Sequence, residues 1–350
     1  MASLFSFLAQ AFQAAPSADN SQPYMGEWHG KTLCIHYDHK RVADTTFPAD
    51  SPATLLSLGG IIENMAQLCK SAGVEVDVHL QNLEQSNPSA ILSIPGDLSL
   101  PPKCGNLAIF ARHTNRFAYK KTPLPADLLA ALSQLAYNTT RVSLFADKSG
   151  KTDICKLVKS ASEIRFQTKE LLEWLGKSLR FNRTEAGQGD GLDIKTIDLP
   201  PGGSLMIRLI SHWKWMRILN AVGAYKLFSA IDASPVRVAP GVIAITGKCG
   251  PAGAIAAGRT LVRVWSELNA RGIAAHPYYV IADQLVRLQD NAVPAGLVDQ
   301  AKTLAQGSRK VFSLEEDETL YMLLRIGYPA KTAPRSKRLP SRINFHDLTH

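Results

Sequence analysis

Two segments of equal length constrain the fold of this chain most, because residues 59–73 and 258–272 repeat one pattern in separate parts of the sequence. Each begins near a glycine that permits close packing, carries apolar residues at helical spacing, and ends at a glycine suited to the left-handed position after a helix. Extended residues follow both segments, at 74–80 and 273–279. We therefore predict two related halves, each with a packed helix followed by an extended segment.

The end of each half is predicted to be a strand, at residues 106–112 and 319–328, because both runs are rich in apolar and β-branched residues. Helices and strands thus mix within each half, which indicates an α+β fold. The sequence has no G-x-G-x-x-G motif after a strand and no P-loop, so Rossmann and Walker-type nucleotide folds are excluded.

Composition narrows the class of protein further. The chain has 350 residues, 45% of them hydrophobic, and can form a substantial core. Its net charge of +9 is spread along the sequence without a dense basic run, which argues against nucleic acid as a partner. The five cysteines form no C-x-x-C pair and indicate a reducing compartment rather than a zinc site. The most apolar long stretch, 207–231, is interrupted by charges, so we expect no membrane-spanning segment. We therefore expect a cytoplasmic protein without a membrane partner.

Residues 15–24, with the sequence A-P-S-A-D-N-S-Q-P-Y, are predicted from composition to form the turn that closes the first helix. The string also resembles the A-P-S-x-x-N-x-Q-P-W loop of the nitroreductase-like flavoproteins, with Tyr24 in place of tryptophan. In that family the serine and asparagine lie along the flavin and ribityl chain of FMN. The resemblance therefore implies that Ser17 and Asn20 contact FMN, with Gln22 as a further candidate.

Residues 112–116, with the sequence R-H-T-N-R, place two arginines and a hydroxyl at alternate positions. Such side chains form a plausible clamp for phosphate, although arginines beside a loop are often simply surface charges. The string resembles the R-x-S-x-R/K element of nitroreductases, and more closely the R-R-T-N-R string of the Acg-type subgroup, whose chains carry two fused halves. The resemblance implies that Arg112, Thr114 and Arg116 contact the FMN phosphate and the polar edge of the ring, with Arg116 as the cation at that edge.

The C-terminal residues 324–340 resemble the R-x-G-Y-P … P-R-x-x-R-P ending of the same family. There, basic residues reach back to the FMN phosphate, and the candidates in this chain are Arg335, Lys337 and Arg338. A solvated cationic tail is the alternative.

His276 and Pro277 occupy the place of a family strand that passes one face of the flavin ring. The resemblance therefore makes them candidates for contact with flavin or substrate. The alternative is a structural histidine beside a proline.

The predicted architecture is a nitroreductase-like pseudo-dimer of two fused, unequal halves. The first half spans 1–110, the second 111–340, and a tail spans 341–350. The first half has the serine–asparagine loop but no arginine before residue 31, whereas the second has the arginine string and basic tail but lacks the loop. We therefore expect one FMN site per chain, with no dimer needed to complete it.

A helical insertion at about 183–235 has no counterpart in the first half. Its core, 205–231, carries Trp213 and Trp215 among basic residues. It is either an ordinary packed helix or a lid over a ligand site.

The resemblance implies an FMN-dependent oxidoreductase of the nitroreductase or quinone-reductase type. In such an enzyme NADH or NADPH delivers hydride to flavin N5, and the reduced flavin passes electrons to a small-molecule substrate. This chemistry requires no particular acid or base from the protein. Two alternatives remain open: a protein that binds or sequesters FMN without catalysis, and a flavin-dependent dehydrogenase or oxidase of a peptide or natural-product intermediate.

Overall fold

The computed structural model describes residues 4–42, 47–81, 89–95, 98, 101 and 104–346. The α-helices are α1 (Leu4–Ala14), α2 (His39–Val42), α3 (Pro52–Lys70), α4 (Ala108–Ala111), α5 (Leu128–Ser133), α6 (Lys148–Phe166), α7 (Lys169–Ser178), α8 (Arg183–Gly187), α9 (Gly203–Ile210), α10 (Trp213–Ala221), α11 (Ala224–Val238), α12 (Pro251–Ala270), α13 (Val280–Gln289) and α14 (Val298–Phe312). The strands are β1 (Tyr24–His29), β2 (Thr32–Tyr37), β3 (Asp77–Leu80), β4 (Ala90–Ser93), β5 (Arg141–Phe145), β6 (Leu179–Arg180), β7 (Leu192–Asp193), β8 (Gly241–Lys248), β9 (Ala274–Tyr278), β10 (Glu318–Gly327) and β11 (Ile343–His346).

The strands form two principal sheets, one in each half of the chain. The first has the order β11-β1-β2-β4-β3 and the second the order β5-β8-β10-β9. Within these two sheets, neighbouring strands are antiparallel except at the pairing of β1 with β11. Strands β6 and β7 form a separate parallel pair. Helices and antiparallel strands mix within each half, so the predicted α+β class is confirmed.

The two predicted helices are confirmed as α3 and α12, and they pack on one another within the larger hydrophobic core. Their glycines allow the backbones to approach closely. A Cβ on Gly59 would collide with the carbonyl oxygen of Ile255, and a Cβ on Gly258 would collide with that of Leu56. The close-packing role predicted for both glycines is therefore confirmed, although each lies inside its helix rather than at the start.

Local signals explain where these helices begin and end. Ser51 caps α3 by accepting a hydrogen bond from the Ala53 amide, and Pro52 occupies the first turn, where its missing N–H costs nothing. Beyond the two helices, Gly73 and Gly272 have φ of 77° and 70°, as the sequence predicted.

The strand predicted at 106–112 is wrong, because this segment is helical. A 3₁₀ turn at Cys104–Asn106 leads into α4, which packs against α1 and α12 and buries Ile109. A short apolar run satisfies a strand or a buried helical turn equally well, and here tertiary packing selects the helix. The strand predicted at 319–328 is confirmed as β10.

The second half has its own core on the other side of its sheet, where α6, α11, α13 and α14 pack. The predicted insertion contains α8 to α11. Its inner residues form a small separate cluster around Phe166, Leu172, Ile210 and Met216.

The chain finally returns to the first half. Residues 343–346 form β11 beside β1, so the first part of the predicted tail completes the first sheet. Residues 347–350 of that tail lie outside the described residues. No helix among the described residues is long and apolar enough to cross a membrane.

Candidate functional site

The loop between α1 and β1 has an unusual backbone. Asp19, Asn20 and Gln22 all have positive φ, at 47°, 58° and 50°. The loop holds itself in this shape in part because the Gln22 amide donates to Ser17 Oγ at 3.1 Å. Left-handed backbone is costly for residues other than glycine, so three such positions indicate a loop shaped by specific contacts.

The side-chain amides of Asn20 and Gln22 are buried and bind the chain's own backbone; we call these two residues the amide end of the site. Asn20 Nδ2 donates to the carbonyl oxygens of Lys337 at 2.9 Å and Gly191 at 3.1 Å. Gln22 Nε2 donates to the Gly189 carbonyl at 2.9 Å, and its Oε1 accepts from the Leu339 amide at 3.1 Å. Residues 189–191, inside the predicted insertion, therefore lie directly on the loop.

Arg112, Arg335 and Arg338 lie close enough for the charges of Arg338 and Arg335 to act on Arg112, and we call these three residues the cationic end. Arg112 is buried, donates to the Ala14 carbonyl oxygen and lies 4.7 Å from the Trp265 ring centroid. Burial, followed by the charges of Arg338 and Arg335, lowers the Arg112 pKa to about 9. Burial lowers the Arg338 pKa to about 10. Burial disfavours the charged form of both groups, and among the described residues neither arginine forms an ion pair with an acid.

Two nitrogens of the cationic end have no protein partner. Within the part of the chain that the structure describes, Arg112 Nε and Arg338 Nη1 are buried and make no hydrogen bond. The same residues form no ion pair with any described acid. Arg335 instead donates to the carbonyl oxygens of Phe110 and Ala111, both at 2.9 Å, and is exposed. The cationic end thus has unused donors and an unbalanced charge, which is the chemistry that recognises an anion.

Arg116 and His276 lie close enough for the arginine to affect the histidine. Burial lowers the His276 pKa well below 6.5, and the charges of Arg116 and then Arg325 lower it further, so the ring is neutral at neutral pH. Arg116 donates weakly to Thr196 Oγ1, at 3.4 Å, and burial lowers its pKa. Nδ1 of His276 and Nε of Arg325 are buried without a hydrogen-bond partner among the described residues. The structure therefore brings Arg116, predicted for the ring edge, close to His276, predicted for contact with flavin or substrate, and adds Arg325.

The remaining predicted residues occupy the edges of this region. Thr114 forms an isolated parallel bridge with Ala275, beside His276. Pro277 lies in β9, paired with Leu324 of β10. Lys337 contributes its backbone carbonyl to Asn20, and its side chain is exposed.

A second group of polar residues behind the loop was not predicted. Asp19 accepts from Trp174 Nε1 at 2.9 Å, and burial raises its pKa. Burial also raises the Asp283 pKa, to about 6, although the charges of Arg287 and Arg165 oppose that shift. Asp19 lies inside the A-P-S-A-D-N string, so this motif could have identified it as a site residue. Asp283 and Trp174 come from distant helices with no motif, so no sequence signal pointed to them.

This chain is similar to known proteins in structure only. No family model matches the sequence, and no curated protein matches it. Similar solved structures are nitroreductase-like proteins that bind FMN. An FMN-dependent nitroreductase from Mycobacterium smegmatis, in complex with NADPH, is 17% identical over 65% of this chain and 89% of its own, with a TM-score of 0.36.

Two further structures give the same picture. A nitroreductase with bound FMN from Bacteroides fragilis is 13% identical over 69% of this chain and 95% of its own, with a TM-score of 0.35. Iodotyrosine deiodinase bound to FMN and 3-iodo-L-tyrosine is 13% identical over 66% of this chain and 92% of its own, with a TM-score of 0.35. At TM-scores this low, the likeness supports no conclusion about ligand or activity, and only the residues of this chain bear on those.

Proposed function

We propose that the chain is a flavoprotein that binds one FMN, with the phosphate at the cationic end. One observation carries this proposal: Arg112 and Arg338 bring buried, unpaired guanidinium nitrogens together without an acidic partner among the described residues. A phosphate would accept from both guanidinium groups and neutralise their charge. Arg335, at the exposed rim, would add attraction for the same anion.

The other end of FMN needs both donors and acceptors, and the described residues supply both. Asn20 Oδ1 is a buried acceptor, and Nε of Arg325 is a buried donor. Neither atom has a hydrogen-bond partner in the described part of the chain. The amide end, Arg116 and His276 complete the set that the family resemblance implies. The residues present therefore fit FMN chemically, and we assign Ser17, Thr114 and Pro277 to the borders of the site.

We further propose that the chain acts as an oxidoreductase. The chemistry that FMN supplies is hydride transfer between NADH or NADPH and a second small molecule. Arg116 holds a positive charge in a partly desolvated position, where it stabilises negative charge more strongly than it would in water. His276 stays neutral beside it, so this part of the site carries the arginine charge alone.

Riboflavin tests the phosphate assignment, because it differs from FMN only in lacking phosphate. The wild-type chain should bind FMN more tightly than riboflavin in a fluorescence titration. Arg338→Ala should weaken FMN binding by roughly tenfold to a hundredfold, since a charged hydrogen bond contributes about 1.5–3 kcal/mol. Riboflavin binding should not change.

Lys337→Ala is the matched control, because it removes a neighbouring positive charge whose side chain is exposed. It should leave the preference for FMN nearly intact. Equal affinities of the wild-type chain for FMN and riboflavin would show that the cationic end does not hold the phosphate.

A second candidate function, FMN retention without turnover, is favoured by the position of residues 189–191. Their carbonyl oxygens accept hydrogen bonds from Asn20 and Gln22, so the insertion covers the loop. Anaerobic mixing of the FMN-loaded protein with NADPH separates the two functions. Rapid loss of flavin absorbance supports the oxidoreductase, and a stable spectrum supports retention.

We also infer that the chain is a fused pseudo-dimer, with its halves at 1–110 and 111–340. The α3–α12 contact supports this because it is reciprocal under the sequence repeat. Gly59 approaches Ile255 while Gly258 approaches Leu56, and both Gly59/Gly258 and Leu56/Ile255 are separated by 199 positions in the numbering. Such exchange of equivalent contacts is the signature of a two-fold interface. Since the loop comes from one half and the arginines from the other, one site per chain results.

A further inference from the structure

Helices α9 to α11 and the residues that join them expose more large hydrophobic side chains than the rest of the described chain. Ten large hydrophobic side chains are exposed among the described residues, and eight of them lie between 205 and 238. These eight are Leu205, Met206, Trp215, Ile218, Val222, Leu227, Ile231 and Val238. Val222 is 84% exposed and Val238 73%, so these side chains are not the partly covered margins of a core. A concentration of this kind marks an interaction surface.

The exposed residues form stripes along the helices. On α10, Trp215 and Ile218 are spaced i, i+3 and share one face, whereas Met216 is buried. Val222, the C-cap residue that ends this helix, follows at i+7. On α11, the positions 227, 231 and 238 are spaced i, i+4, i+11 and again share a face. Both helices therefore have an apolar stripe in addition to the one that packs inward. Helix α10 packs against both α9 and α11, so the stripes belong to one helical unit.

Positive charge accompanies these stripes. Residues 203–238 contain five exposed basic side chains: Arg208, Lys214, Arg217, Lys226 and Arg237. They contain one acid, Asp232, which is paired with Arg165 at 3.0 Å. Lys214 Nζ lies 5.9 Å from the Trp215 ring centroid, so an aromatic ring and a cation meet at the edge of the stripe. We call the eight apolar and five basic side chains the helical face.

Although the sequence predicts no membrane partner, we propose that the helical face docks on a membrane surface that contains anionic lipids. Apolar stripes with tryptophan, flanked by lysine and arginine, are the features of helices that lie in the lipid headgroup region. The anionic headgroups would neutralise the five cations while the apolar stripes enter the interface. A second copy of this chain fits less well, because a two-fold contact would bring the same cations against one another.

Vesicle flotation tests this proposal, and its outcome does not depend on whether the chain binds FMN. The full chain should float with vesicles of phosphatidylcholine and phosphatidylglycerol, but much less with phosphatidylcholine alone, and added salt should weaken the binding. Lys214→Gln with Arg217→Gln should weaken binding roughly 25-fold, since each cation near an anionic surface contributes about a factor of five. A control pair, Lys120→Gln with Lys121→Gln, removes the same charge from exposed positions elsewhere and should have little effect.

Leu227→Ser with Ile231→Ser removes apolar contacts while leaving every charge in place, and it should also reduce flotation. Both positions are exposed, so melting curves of this variant should match the wild type. The proposal is overturned if the chain floats with neither vesicle, or if the two glutamine pairs lose binding equally. It is also overturned if the chain sediments as a dimer that becomes a monomer in the serine variant, since the face would then belong to a second copy.

Discussion

The two ends of the candidate site differ in where their hydrogen bonds go. At the amide end, Asn20 and Gln22 donate to carbonyl oxygens of the chain itself. At the cationic end, Arg112 Nε and Arg338 Nη1 make no hydrogen bond to any described residue. The donors of the amide end are therefore satisfied by folding alone, although Asn20 Oδ1 has no partner among the described residues. The cationic end keeps two donors that the anion we propose would satisfy.

This difference predicts that substitutions at the two ends change the stability of the ligand-free chain in opposite directions. Removing a satisfied amide leaves buried carbonyl oxygens without donors, which destabilises the fold. Removing a cation that has no counter-charge relieves a desolvation cost, which stabilises it.

Asn20→Ala should have the largest effect and should destabilise the chain by about 2–3 kcal/mol. The substitution removes donations to Lys337 and Gly191, and buried acceptors that lose their donors keep their desolvation cost. It also places alanine at a φ of 58°, which is unfavourable. Urea unfolding of the ligand-free protein measures the loss.

Asn138→Ala provides the control for backbone strain. Asn138 has a φ of 51° and is exposed, so the substitution brings the same strain without the buried hydrogen bonds. It should cost about 1 kcal/mol. If both variants lose the same stability, the amide end contributes nothing beyond its backbone conformation, and the comparison between the ends fails.

Much of the fold could be predicted from the sequence, and the reason is periodicity. The apolar spacing of 59–73 and 258–272 matches a helix over four turns, and the terminal glycines limit where each helix stops. The segment 106–112 is much shorter, and its apolar run predicts a strand, whereas packing makes the segment helical. Short apolar runs carry too little pattern to choose between the two.

The candidate site could be predicted only in part. Motif strings pointed to Asn20, Arg112 and Arg338 because chemistry was concentrated in short segments. Trp174 and residues 189–191 reach the loop from more than 150 positions away, and no local pattern records such contacts. The sequence therefore predicts the insertion as a candidate lid, but it does not predict which residues of the loop the insertion contacts.

Asp283→Asn should change how the stability of the folded chain depends on pH. Burial raises the Asp283 pKa from 3.8 to about 6, so its protonated form is favoured in the folded chain. The stability that this group contributes is fully present below pH about 4 and is lost as pH rises through about 6. The free energy of unfolding of the wild type should therefore fall by about 1–3 kcal/mol across this pH window, and that of the asparagine variant should not show this loss.

Urea unfolding at pH of about 4 and about 7 measures this difference. Asp290→Asn is the control, because Asp290 follows the same helix but is exposed. The stability of this variant should equal that of the wild type at both pH values. If Asp283→Asn also tracks the wild type, the Asp283 carboxyl does not have the raised pKa on which this prediction rests.

Arg338→Met should have the smallest effect and the opposite sign, stabilising the ligand-free chain by about 1 kcal/mol. The methionine keeps much of the apolar stem and removes a charge whose pKa burial lowers to about 10. The gain is small because the side chain is only half-buried. Arg335→Met is the matched control, and it should give no gain because Arg335 is exposed and bonded to two carbonyl oxygens.

Inorganic phosphate distinguishes a ligand site from a merely strained arginine. Phosphate should raise the urea midpoint of the wild-type chain and raise that of Arg338→Met much less, because a ligand that binds only the folded state stabilises it by mass action. A destabilised Arg338→Met chain would mean that the guanidinium supports the fold and that the cationic end is not reserved for an anion. A stabilised variant that still responds fully to phosphate would instead locate the anion away from Arg338, leaving Arg112 and Arg335 to be tested in its place.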